Sequence, residues 1–183
     1  MSSPPHTAQF ALFETAIGTC GIAWTSEGVC AIQLPEATPD RTAARLLRRF
    51  SSALEAAPPG EIAGAIEAIT RLLRGEETDL SAIRLDLAQV PEFHRRVYDL
   101  ARAIPSGGTS TYGEIAVQLG DRSVARAVGQ ALGQNPVPLI VPCHRVLAAG
   151  GKFGGFSANG GVLTKLRLLS IEKAPAADSL FPH

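Results

Sequence analysis

The sequence predicts an α/β (α+β) amino-terminal unit with a small antiparallel sheet, followed by a mostly α carboxy-terminal domain built on a winged-helix-like helix-turn-helix. Three observations predict this. Short apolar runs punctuated by Gly18, Gly28 and Pro35 come before two amphipathic helical patterns, the element order of an α+β unit. Beyond residue 90 the pattern turns helical, and two short helices flank a tight Gly120-Asp121-Arg122 turn. Charge divides at the same place: residues 1–89 carry 7 Lys+Arg against 11 Asp+Glu, whereas residues 90–173 carry 10 against 5. The expected organisation is therefore 1–89, 90–173 and a loose tail over 174–183.

Each element has its own signal. Residues 8–13 and 19–34 read as short strands that turn at Gly18 and Gly28 and end at Pro35. Ala44, Leu46, Leu47, Phe50 and Leu54 give helical spacing over 40–56. Pro58-Pro59-Gly60 breaks that helix, and Ile62, Ile66, Ile69 and Leu73 mark another over 61–74. Ile83, Leu85 and Leu87 alternate with Arg84 and Asp86, predicting a further strand over 81–87, with 88–91 as linker. Phe93, Val97, Leu100 and Ala103 share a helix face that stops before Pro105. Thr111-Tyr112-Gly113-Glu114 is a capping box opening a helix through Leu119. Ser123 to Leu132 forms the second helix of the pair, and 161–173 the last. An ordinary helical hairpin would give the same pattern as a helix-turn-helix, so the pair alone does not assign DNA binding.

Composition narrows the function classes. The chain has 183 residues, a formal net charge of zero and 19% charged residues, as an ordinary globular protein has. No apolar run reaches the roughly 20 residues that span a bilayer, and Met1–His6 has neither a basic nor an apolar export segment, so no membrane association and a cytoplasmic location are expected. Three cysteines without a Cys-x-x-Cys pair argue against a disulfide framework. Cys20 and Cys30 stand ten apart with no histidine pair at ligand spacing, so no metal and no cofactor are expected.

The chemistry concentrates in Pro142-Cys143-His144-Arg145-Val146, which follows the apolar run Val137–Val141. A thiol beside an imidazole and a guanidinium is placed for thiolate formation, and thiolate is the form that attacks carbon. His144 is the natural base. Adjacent side chains rarely face each other, so a bridging water is expected between the two, and Glu172 is the acid chosen to orient the imidazole. On the second short helix, Arg126 stands among the small residues Ala125, Ala127 and Gly129. These let a backbone approach a partner closely while one arginine reaches into a groove or fills the space of a displaced base. Such a helix reads DNA by shape and backbone rather than by sequence.

Taken together, Tyr112-Gly113, Ala125–Gly129, Asn135-Pro136-Val137-Pro138, Pro142–Val146, Gly154-Gly155-Phe156-Ser157, Lys165 and Glu172 resemble the O6-alkylguanine-DNA alkyltransferase family, the methylated-DNA–protein-cysteine methyltransferases. The resemblance is dense over 90–173 and loose before it. It implies repair of double-stranded DNA by direct reversal. The protein, acting as a monomer, would bind the minor groove through the surface of Ser123, Ala125, Arg126, Ala127 and Gly129, with Arg126 replacing a flipped O6-alkylguanine. Cys143 would take the alkyl group once, helped by water, His144 and Glu172, while Tyr112 donates to guanine N3. Asn135 would brace the hinge, Lys165 would join the pocket, and Val146 with the 153–157 loop, Phe156 and Ser157 included, would line it.

A thioether has no carbonyl for water to attack, so no turnover is expected. Phe156 stands where many relatives carry tyrosine, and Ala158-Asn159 lengthens the loop, which bears on the range of alkyl groups. The family's zinc ligand set and its phosphotriester-sensing module have no counterpart here. A lesion-binding relative without the reactive cysteine, a Cys-His hydrolase and a plain helix-turn-helix regulator are the other readings. Cys143 argues against the first, and the absence of an acyl-substrate signature argues against the second. A plain regulator would leave Cys143-His144 unexplained.

Overall fold

In the computed structural model, which describes residues 7–178, the chain opens with β1 (Gln9–Thr15), β2 (Gly18–Thr25) and β3 (Gly28–Gln33), an antiparallel meander. Alternation sorts the side chains. Cys20, Ile22 and Trp24 enter the main core on one face, while Phe10, Ala23 and Ala31 meet α1 (Pro39–Arg49) on the other. The α1 helix starts where Thr38 Oγ1 accepts the Arg41 amide, and its Leu46 is buried against the sheet.

The helix predicted over 40–56 stops at Arg49. Leu54–Glu55 instead forms β4, which joins β1 in parallel, so the sheet has order β3-β2-β1-β4 and is mixed rather than purely antiparallel. Helix α2 (Gly60–Leu73) then packs Ile62, Ile69 and Leu72 into the main core.

Residues 81–87 are not a full strand. Only Leu85 bridges, in parallel, to Val29, with Val29 N donating to Arg84 O at 2.9 Å and Asp86 N to Val29 O at 2.8 Å. The apolar alternation is present, but carbonyls of the segment are taken by Arg102 rather than by a neighbouring strand. Its guanidinium donates to the carbonyls of Ser81 at 2.8 Å and Ile83 at 2.9 Å. This short stretch and Pro136, whose carbonyl accepts the Ile32 amide at 2.9 Å, cover the open edge of β3.

The second half holds α3 (Glu92–Arg102), β5 (Ser110–Thr111), α4 (Tyr112–Gln118), α5 (Ala125–Gly133), β6 (Val146–Leu147), α6 (Val162–Ile171) and the short α7 (Pro175–Asp178). The capping box forms, with the Glu114 amide donating to Thr111 Oγ1 at 3.1 Å and the Thr111 amide to Glu114 Oε2 at 2.8 Å. Gly120, at φ +97°, and a 3₁₀ turn over Arg122–Val124 connect α4 to α5, and β5 pairs with β6 in parallel as a minimal wing.

Two further departures concern packing. The 174–178 part of the expected tail is ordered into α7, with Ala174 and Ala177 buried beside Leu147 and Leu169; residues 179–183 lie outside the described residues. The division at 89/90 is not a packing boundary, because one core joins Ile22, Trp24 and Val29 to Tyr98, Ile115 and Val128.

Gly28 sits at the seam. Its φ is +140°, and a Cβ there would lie 2.5 Å from the Arg84 carbonyl oxygen. Gly28→Ala should therefore destabilise the protein by about 3 kcal/mol, combining backbone strain with a backbone clash. A urea titration with an unchanged midpoint would contradict this.

Candidate active site

Where α5 ends, Asn135 ties the helix to the reactive loop. Its Nδ2 donates to the Val141 carbonyl at 2.8 Å and its Oδ1 accepts the Val137 amide at 3.0 Å, both buried. The loop it closes includes Leu139 at φ +74°, a left-handed conformation unusual for leucine. Held strain of this kind collects at functional sites. The loop delivers a 3₁₀ turn over Cys143–Arg145, in which successive side chains point in three directions.

Those directions separate the three side chains. Cys143 keeps 8% of its surface exposed. Burial pushes its thiol pKa up, opposed by hydrogen bonding from Asn135, the Lys165 charge and the amides of Cys143 and His144. Burial thus favours the neutral thiol over a standing thiolate. Arg145 does not serve the thiol as the sequence suggested. It turns away, donating from Nε to Glu172 Oε2 at 2.9 Å, from Nη2 to Oε1 at 2.7 Å and from Nη1 to the Ile104 carbonyl at 2.7 Å.

His144 is fully buried, and its Nε2 lies 2.9 Å from Glu172 Oε1. Burial lowers its pKa despite the carboxylate. For Glu172, burial acts upward, but hydrogen bonds and charges from His144 and Arg145 outweigh it and hold the carboxyl at about 2. An ionised Glu172 only accepts, so the neutral imidazole carries its proton on Nε2 and presents a free lone pair at Nδ1. That Nδ1 is buried, with no hydrogen-bond partner among the described residues.

Lys165 is fully buried, donates from Nζ to the Val146 carbonyl at 2.7 Å and stands 5.9 Å from the Tyr112 ring centroid. Burial lowers its pKa to about 8, opposed by Cys143. Tyr112 lies between two glycines. A Cβ on Gly154 would meet its hydroxyl at 2.6 Å, and one on Gly129 of α5 would meet its ring at 3.9 Å. Burial raises the phenol's pKa, with Cys143 adding to the shift.

Cys143 opens into a cavity of about 490 Å³ with Asn135, Pro138, Phe156, Ser157 and Ala158 on its walls. Tyr112, Lys165, Val146 and Phe153 are not on those walls: Val146 is wholly buried in the core with its carbonyl accepting from Lys165, and Phe153 packs with Leu147 and Leu169. Arg126 and Ser123 are exposed, Arg126 on the first turn of α5 and Ser123 in the turn before it; Ala125, Ala127 and Gly129 are half-buried.

Sequence reasoning missed Tyr98, whose buried hydroxyl donates to the Ala131 carbonyl at 2.8 Å and fixes α5 on α3. It also missed the turn of Arg145 towards Glu172. Cys20 and Cys30 are buried in the amino-terminal unit, with thiols pushed by burial to about 12. Among the described residues no three His, Cys, Asp or Glu side chains gather into a metal site. No helix there is long and apolar enough to cross a membrane.

Comparison with known proteins agrees with this geometry. The family profile for the 6-O-methylguanine DNA methyltransferase DNA-binding domain matches residues 92–174. A methylated-DNA–protein-cysteine methyltransferase of Mycolicibacterium paratuberculosis is 46% identical over 125 residues, 67% of this chain and 73% of its own. This chain belongs to that methyltransferase family. A further member, from Methanothermobacter thermautotrophicus, is 37% identical over 83% of this chain and 78% of its own. The fold of the methyltransferase agrees as well. The crystal structure of Mycobacterium tuberculosis OGT in complex with DNA superposes with a TM-score of 0.73 at 35% identity, covering 95% of this chain and 99% of that one.

The Glu172 pKa gives a pH prediction. The folded value near 2 lies below the ordinary 4.5, so the stabilisation is complete above about pH 4.5 and lost as pH falls towards 2. It is on the order of 3 kcal/mol. In Glu172→Gln this acid-dependent part should vanish from denaturant titrations between pH 5 and 2. At neutral pH the variant should be less stable by about 3 kcal/mol or more, because Arg145 is left buried without its counter-ion. Parallel pH curves for the two proteins would refute the assignment.

Proposed function

We infer that this protein repairs DNA by direct reversal, moving the methyl group of O6-methylguanine onto Cys143 in a single, irreversible event. One observation carries the reading. Cys143, at the wall of a cavity, is followed in the chain by a histidine whose imidazole is oriented by Glu172 and leaves Nδ1 without a partner among the described residues, and the loop bearing both is tied by Asn135 to the second helix of a helix-turn-helix.

The sequence of events follows from the chemistry. Duplex DNA lies with its minor groove on α5, where the small residues permit close approach and Arg126 enters the stack as the damaged base turns out. The base enters the cavity beside Phe156 and Ser157. His144 Nδ1 takes the Cys143 proton through a water molecule, and Glu172 stabilises the imidazolium that results. Sγ attacks the methyl carbon in line, the C–O6 bond breaks, and the electron pair leaves with guanine. Tyr112, whose raised pKa keeps its proton in place, donates to N3 as that charge develops, and the Lys165 ammonium beside the ring favours the phenolate formed. The thioether is stable to water, so each protein acts once. A cytoplasmic monomer fits a thiol that must stay reduced and a site completed within one chain.

Mixing the protein with a duplex carrying O6-methylguanine should add one methylene to the Cys143 peptide, one methyl lost per protein molecule and no more. Continued turnover, or an unmodified Cys143, would sink the proposal. Cys143→Ala should keep lesion binding and lose transfer. Tyr112→Phe should keep binding and slow single-turnover transfer by roughly 10²; an unchanged rate would remove the phenol from the mechanism.

A further inference from the structure

Tyr98 of α3 is the largest side chain withdrawn completely from solvent, and the transfer chemistry does not use its hydroxyl. A phenylalanine would fill the same space without desolvating an oxygen, so the O–H counts for the group it reaches rather than for packing. That group is the Ala131 carbonyl, 2.8 Å away in the last turn of α5. The helical ladder fails there. The Asn135 amide donates to Leu132 at 3.2 Å instead of to Ala131, and the Gln134 amide is shared between Gln130 and Ala131, both at 3.2 Å. Tyr98 thus caps α5 where the chain leaves it for the reactive loop. Burial pushes the phenol up to about 12, with the Cys143 charge adding to the shift, so at neutral pH it keeps its proton and stays a donor to that carbonyl.

From that cap a short path leads to the nucleophile. Asn135 lies one helical turn beyond Ala131, its Nδ2 donates to the Val141 carbonyl at 2.8 Å, and the same carbonyl accepts the Cys143 amide at 2.8 Å. On the other side of the hinge, the Pro136 carbonyl accepts the Ile32 amide of β3 at 2.9 Å. The hinge is therefore held from β3 at Pro136 and from α3 at Ala131. Resting on the methyl-transfer reading above, we propose that Tyr98 is a positioning residue for transfer. By fixing where the chain leaves α5, its hydroxyl sets Asn135, and through Asn135 the place at which Cys143 meets the alkyl carbon. Deleting the hydroxyl leaves a buried carbonyl without its shortest hydrogen bond, which the end of α5 relieves by shifting. A small displacement of a nucleophile costs rate rather than binding, because Arg126 and the small residues that meet the duplex lie towards the opposite end of α5.

Tyr98→Phe removes one oxygen and keeps the ring that fills the core. Val97→Ala, at the neighbouring and equally buried position of α3, loosens the same core without touching the cap and is the control for lost stability. Single-turnover methyl transfer from an O6-methylguanine duplex is measured over a range of protein concentrations, at a temperature where circular dichroism shows both variants and the natural protein folded. In Tyr98→Phe the rate at saturation should fall about tenfold, with the half-saturating concentration unchanged. Because Asn135 lowers the pKa of the Cys143 thiol, iodoacetamide modification of Cys143, followed by peptide mass, should also shift to higher pH. Val97→Ala should match the natural protein in rate, half-saturation and pH midpoint. A natural rate in Tyr98→Phe overturns the proposal, and so does equal slowing in Val97→Ala. An unmoved pH midpoint, or a loss confined to the half-saturating concentration, overturns it as well. If the natural protein takes no methyl from the duplex, the transfer reading falls instead, while the iodoacetamide midpoints still decide whether Tyr98 positions the thiol.

Discussion

The carboxylate of Glu172 is the constraint on which the site depends. It is 3% exposed, takes two bonds from the Arg145 guanidinium and one from His144, and so holds a histidine and an arginine that are adjacent in sequence yet point apart. Removing a charge from such a buried set leaves its partners uncompensated, which is more costly than never having built it. Because Arg145 also reaches the Ile104 carbonyl, the same carboxylate fixes the end of α3 relative to the reactive turn. Tautomer, ring orientation and loop position therefore have one cause.

Burial sets the reactivity in a second way. A thiol in this environment resists ionisation, which at first sight opposes nucleophilic attack. A protein whose cysteine is consumed by its own reaction also benefits from a thiol that is inert until a substrate and a base meet it. Asn135, the Lys165 charge and two backbone amides oppose the effect of burial, and the proposed transfer leaves the remaining compensation to His144. Burial also raises the thiols of Cys20 and Cys30, to about 12, and there neither Asn135 nor Lys165 opposes it.

Much of this was legible in the sequence wherever a local pattern carried it. The capping box at Thr111–Glu114, the strand turns at Gly18 and Gly28 and the Pro142–Val146 run need only near neighbours, and they appear as read. Glu172 was found because a base requires an orienting acid, though it stands 28 residues away. What escaped was set by distant packing. Leu54–Glu55 is too short for any period to reveal it as a strand. Residues 81–87 alternate like a strand, but two of their carbonyls accept from Arg102 and only Leu85 bridges to β3. The Tyr98 hydroxyl meets a carbonyl 33 positions on, and the turn of Arg145 away from the thiol follows from 3₁₀ geometry that residue type does not encode.

The position of Glu172 along the chain has a consequence of timing. The phenol, the arginine of α5, the hinge asparagine and the thiol all leave the ribosome before it, and α6, whose carboxy-terminal end carries it, comes after every one of them. Until that helix docks, His144 has no partner to fix its tautomer, and Arg145 has no counter-ion that would let it be buried. The hydrogen-bonded set around Glu172 can therefore close only after the rest of the site has been synthesised.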